Sequence, residues 1–277
     1  MRLFLLGFLA CFLVHSPAQA QGTVTSADLL KTDAIWQRDR LDSEIAALKQ
    51  SYQGQLEEYL YKDKLFRIAY DQHQELQTLV SIEDMIKKGR DLGLIRGQVL
   101  ISYLDLLRLK LIATEGIELS LKQRYLDRLE STIAYIRQHQ LVLEQASDRD
   151  QLQAALTTFS ADQKSLANLG KEVLALLAIG NLQIVYDKSV VLKTDIDSHL
   201  QDSGTLDLPH IERSSSETNR SLNAAKMKLD LIWGELVNAN NPERYLLSFY
   251  DDLSRVLNPL YVNLSQSISY LGELLSI

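Results

Sequence analysis

Apolar residues return at intervals of three and four along nearly the whole chain, and no convincing alternation of two interrupts them. That spacing gathers apolar side chains on one side of a helix, whereas a half-buried strand needs a period of two. Residue usage agrees: 277 residues include only 12 glycines and 4 prolines, too few to punctuate a series of short strands. The sequence therefore predicts an all-α protein. From Leu41 one stripe runs through Ile45, Leu48, Tyr52, Tyr59, Phe66, Ala69, Leu76 and Val80, widened by Leu56, Leu60, Leu65 and Ile68. A stripe this broad exceeds a two-stranded seam and suits a helix touching two neighbours in a bundle.

Capping chemistry divides the pattern into helices. Ser81 to Asp84, Ser120 to Gln123, Ser147 to Asp150 and Ser214 to Glu217 each set a hydroxyl three residues before a side chain able to reach back. Gly116 suits a left-handed stop, and Pro242 follows an Asn-rich turn at a first helical position. These signals predict helices at 27–78, 82–115, 121–146, 148–200, 214–238 and 242–277. The expected architecture is an elongated antiparallel bundle of about six helices. Residues 21–200 form its long-helix part, 201–213 a linker, and 214–277 a C-terminal hairpin packed on the bundle. Pro259 is expected to kink the last helix, because it lacks a donor and crowds the preceding turn.

The first 20 residues, MRLFLLGFLACFLVHSPAQA, read as a secretory signal peptide: Arg2, an apolar core over 3–14, and the small-x-small exit Ala18-Gln19-Ala20. The core is shorter than the roughly 20 residues that a membrane span requires. Cleavage is expected after Ala20, giving a periplasmic or extracellular chain. Cys11 is the only cysteine, so the cleaved chain can form no disulfide or thiolate metal site. The net charge of −7 is dispersed without a basic block, which disfavours nucleic acid and anionic membranes.

The stretch GRDLGLIRGQVLISYLDLLRLKLIA, Gly89 to Ala113, invites comparison with a membrane helix. Arg96, Asp105, Arg108 and Lys110 argue against it, each central charge being costly in lipid. On a helical projection Gln98, Ser102, Asp105 and Arg108 form one polar seam, and Arg96, Tyr103 and Lys110 another. Two seams between two apolar flanks describe a central helix of a soluble bundle, and no span is expected in the mature chain. Gly89, Gly93 and Gly97 form a side-chain-free strip read as a site of close helix packing. A local helix break and a groove for self-association or a ligand are the alternatives. Gly170 and Gly180 are candidates for the other side of a crossing.

Catalytic signatures are missing: no GxSxG, HExxH, GxxxxGK[ST] or strand-borne GxGxxG occurs. His73, His139, His199 and His210 form no pair at helical spacing, and Asp195, Asp197 and Asp202 lack the glycine and glutamate of a calcium loop. No catalytic residue, cofactor or metal is therefore expected. His73, at a stripe position, and the aromatics Trp36, Trp233, Tyr245, Phe249 and Tyr250 are the candidates for a partner surface or pocket. The alternative role for the aromatics is anchoring the core. The sequence points to a non-enzymatic structural or interaction module of the bacterial envelope or cell surface. It would bind a protein partner or a second copy; the alternative is small-molecule binding or sensing between helices.

Overall fold

The fold is a computed structural model that describes residues 26–203, 208–238 and 241–275, with side-chain surroundings from residue 37 onward. The signal segment and the Trp36 side chain lie outside the described residues. Among the described residues there are seven α-helices and no strand: α1 (Ser26–Leu76), α2 (Leu79–Ala113), α3 (Leu119–Gln145), α4 (Arg149–Asp202), α5 (Pro209–Asn238), α6 (Pro242–Asp251) and α7 (Leu253–Leu275). The chain is all-α. It divides into two compact units between Arg40 and Leu41, inside α1, and not at the 201–213 linker that the sequence suggests. The second unit, Leu41–Ile277, holds the rest of α1 and all of α2 to α7.

Two expectations need correction. Residues 209–213 belong to α5: Pro209 sits in its first turn, where a missing N–H costs nothing, and Ile211 is fully buried. The expected last helix is two. Asp252 ends α6, its N–H still bonding the Ser248 carbonyl, while its own carbonyl accepts from the N–H groups of Arg255 and Val256. The helix therefore breaks seven residues before Pro259, which lies inside α7.

The caps shift as well. Thr78, not Ser81, caps α2: its hydroxyl accepts from the Ser81 N–H, and Ser81 Oγ accepts in return from the Thr78 N–H. Asp148, not Ser147, caps α4 by accepting from the Gln151 N–H. Asn241 caps α6, with Pro242 first in the helix as the sequence suggests.

Three buried clusters hold the unit together. The largest joins Leu104, Leu107 and Leu111 of α2, Tyr125 and Leu129 of α3, Val173 and Leu176 of α4, Leu229 of α5, Leu246 of α6 and Leu260 of α7. A second gathers Ala69, Met85, Leu143, Leu152 and Ala155 from α1 to α4. A third closes the other end through Ile196, Leu200, Ile211, Leu271 and Leu274 of α4, α5 and α7. Helix α4 enters all three and is the spine of the unit. It is long and apolar enough to cross a membrane by length and composition. In the fold, half of that apolar window is buried, and Val173, Ala175, Leu176 and Ile179 within it have no exposed surface.

Candidate functional site

The glycine strip of α2 faces inward, and side chains fill it. A methyl group on Gly93 would stand 2.9 Å from Leu143 Cδ1, and one on Gly89 would meet Leu152 and Phe66. At Gly97 the space admits Gln140, whose Nε2 donates to the Leu94 carbonyl at 3.0 Å. Gly170 receives the Tyr103 ring. Backbone meets backbone elsewhere: a methyl on Gly116 would lie 2.3 Å from the Gly180 carbonyl oxygen. The strip is occupied from within the chain by α1, α3 and α4.

His73 closes the α1–α2 turn. Its Nδ1 lies 3.0 Å from Ser81 Oγ, which also stands 2.8 Å from the Thr78 carbonyl oxygen. The C-terminal aromatics pack against the main core at separate points, and only the Tyr245 and Phe249 rings approach each other, with centres 6.2 Å apart. Phe249 is buried, and Tyr245, Tyr250 and Trp233 are half-buried. Trp233 Nε1 donates to Gln183 at 3.0 Å, and the Lys171 ammonium sits 5.4 Å from the Tyr250 ring centre. The Tyr245 hydroxyl donates to Glu235, and burial followed by the Glu235 charge pushes its pKa up to about 12. His73 lies in another part of the unit from these aromatics, and the structure brings no common pocket around them.

Sequence reading does not pick out Glu172, although it is the most deeply buried carboxylate described, with 2% of its surface exposed. It faces α3 from within α4. Arg128 Nη1 donates to it at 2.5 Å, the Tyr125 hydroxyl donates at 3.1 Å, and Arg128 also reaches Glu243 of α6 at 3.3 Å. Burial raises the Glu172 pKa against the opposing pull of Arg128. Burial works against the charge of Arg128 too, yet the hydrogen bond and charge of Glu172 outweigh it and hold that pKa up. The cluster ties three helices. Beside it runs an open cleft of about 320 Å³ lined by Asp127, Arg128, Ser131, Thr132, Ser165, Leu166 and Leu169. Neither His73 nor any of the candidate aromatics lines it.

The strongest candidate surface is the outer face of α7. Its inner stripe Leu260, Leu264, Ser267, Leu271 and Leu274 is buried. One residue further on, Tyr261, Ser265, Ile268, Gly272 and Leu275 repeat the same spacing of four, three, four, three and are exposed. Tyr261 is 65%, Ile268 50% and Leu275 62% exposed, and Val262 broadens the patch. No Asp, Glu, Lys or Arg occurs from Val256 to Gly272, so this face carries none of the charge that normally keeps a helix in water. Among the described residues, no neighbouring element comes within 4 Å of a methyl placed on Gly272. That glycine costs helix stability without gaining an internal contact. The signal is present in the sequence as a doubled heptad within an uncharged run. No protein-family model, curated protein or solved structure matches the chain.

Proposed function

We propose that this chain is a non-enzymatic interaction module that grips a protein partner along the outer face of α7. The observation that carries the reading is the second, solvent-facing heptad stripe. Seams of this spacing engage another helix, and Ser265 and Gly272 leave room for its close approach. Exposed apolar residues scattered singly would mean little; Tyr261, Ile268 and Leu275 share one register with the small residues Ser265 and Gly272, and that regularity supports an interaction face. The inner face of α7 is already taken: Leu271 and Leu274 pack with Ile196 and Leu200 of α4 and Ile211 of α5, which leaves the outer stripe turned to solvent. The secretory character of residues 1–20 supports action outside the cytoplasm, in the envelope or at the cell surface.

The test compares the mature chain with Ile268→Glu and Leu275→Glu as baits for affinity capture from the envelope fraction. Both positions are exposed, so the variants keep the unfolding midpoint of the parent. A protein retained by the parent and lost from both variants supports the reading. Equal retention by all three baits contradicts it.

A further inference from the structure

The turn between α1 and α2 carries a second feature, independent of α7. Leu76, Leu79 and Val80 are 62%, 73% and 75% exposed, within five residues of one another. They stand at the end of the hairpin. Leu152 of α4 packs over Gly89, and Ala146, just after α3, joins the cluster of Met85 and Ile86. The α3–α4 turn is thus level with about residue 86, and the tip continues roughly 10 Å past it at 1.5 Å per residue.

The tip has fixed geometry. Gln77 takes a left-handed φ of 50°, and Thr78 and Ser81 cap each other. His73 hydrogen-bonds with Ser81 from the α1 side. An apolar tip held this firmly presents its side chains in one arrangement.

Charge then selects the partner. Asp71, Glu75 and Glu83 are exposed and Asp84 half-exposed, and no Lys or Arg occurs on the hairpin between Arg67 and Lys87. The adjoining α3–α4 turn adds Glu144, Asp148 and Asp150 against Arg149. An anionic lipid surface repels such a tip. A protein pocket with an apolar floor and a Lys/Arg rim complements it on both counts. We infer that the α1–α2 tip is a docking plug whose partner is a protein socket of that chemistry, filled by Leu76, Leu79 and Val80.

The experiment uses the full chain in its native host with a benzophenone amino acid in place of Leu79. A parallel form carries Asp71→Lys, Glu75→Lys and Glu83→Lys. The expected result is one protein adduct whose yield falls about tenfold on charge reversal, at unchanged circular dichroism. Absence of an adduct, an adduct indifferent to the reversal, or an adduct with a second copy of this chain overturns the proposal. Flotation with phosphatidylcholine and phosphatidylglycerol vesicles is the companion measurement. Vesicle binding that Leu79→Ser abolishes would replace the socket with a membrane and overturn it. Because Ile268 is untouched in these variants, failure at the tip leaves the α7 reading standing, and the reverse holds.

Discussion

Gly116 and Gly272 lack the same side chain, yet their surroundings give the absence opposite meanings. At Gly116 a methyl meets the Gly180 carbonyl oxygen at 2.3 Å, a backbone atom that cannot rotate away. Gly116→Ala should cost about 1–3 kcal/mol, the usual range for overpacking. At Gly272 the methyl meets none of the described residues, so Gly272→Ala should gain about 1 kcal/mol from helix propensity alone. Urea unfolding of both variants at constant slope checks the pair. Glu172 gives a pH test. Its pKa is raised by burial, so the folded state holds the proton above the ordinary glutamate value of about 4.3. The folded chain then binds more protons than the unfolded one in that window, and the contribution of Glu172 is lost as pH rises through its folded pKa. The stability difference between the parent and Glu172→Gln should therefore shrink with rising pH. A difference that grows instead would mean that the Arg128 pairing outweighs burial. Sequence spacing lands within three residues of the caps Thr78 and Asp148, but Ser120 follows Glu118, which makes no side-chain cap, and Ser214 lies inside α5, which opens at Pro209. Ser81 and Ser147 are flanked by Thr78 and Asp148, which cap equally well, and tertiary contacts choose between them. Glu172 gives no local sign at all, because its burial comes from α3 and α6.

Helix α4 and helix α7 differ in what their apolar residues face. Leu176 of α4 is fully buried, and truncation to alanine should cost about 2–5 kcal/mol through lost transfer energy and a cavity. Ile268 of α7 faces solvent, and Ile268→Ala should change stability by no more than about 0.5 kcal/mol. Chemical denaturation of the two variants separates a core stripe from an outer one; a large loss at Ile268 would show that the stripe is already used within the chain. The helical class is legible because its period is written into every segment. The break between α6 and α7 is not. Leu246, Phe249, Leu253, Val256, Leu260 and Leu264 continue at threes and fours straight across it, and neither glycine nor proline marks Asp252. Pro259 draws attention to the wrong turn. The linker expectation fails for a related reason: Pro209 reads equally as a loop residue and as a helix opener, and only the burial of Ile211 decides.

For the whole second unit, the sequence conveys an all-α body with no familiar catalytic motif, and the structure adds where its surface departs from that of an ordinary soluble bundle. The residues singled out first, Gly89, Gly93, Gly97, Trp233 and Phe249, turn inward and serve packing. The departure lies instead on α7, whose outer heptad could be read from the sequence but acquires meaning only once the inner heptad is known to be occupied. On the proposed function, this outer face meets a protein. Its most direct test is a benzophenone amino acid at position 268 in the native host, beside the same group at Arg220, an exposed and charged position on α5. A discrete protein adduct is expected at 268 and none at 220. Equal labelling at both positions, or none at 268, would contradict it.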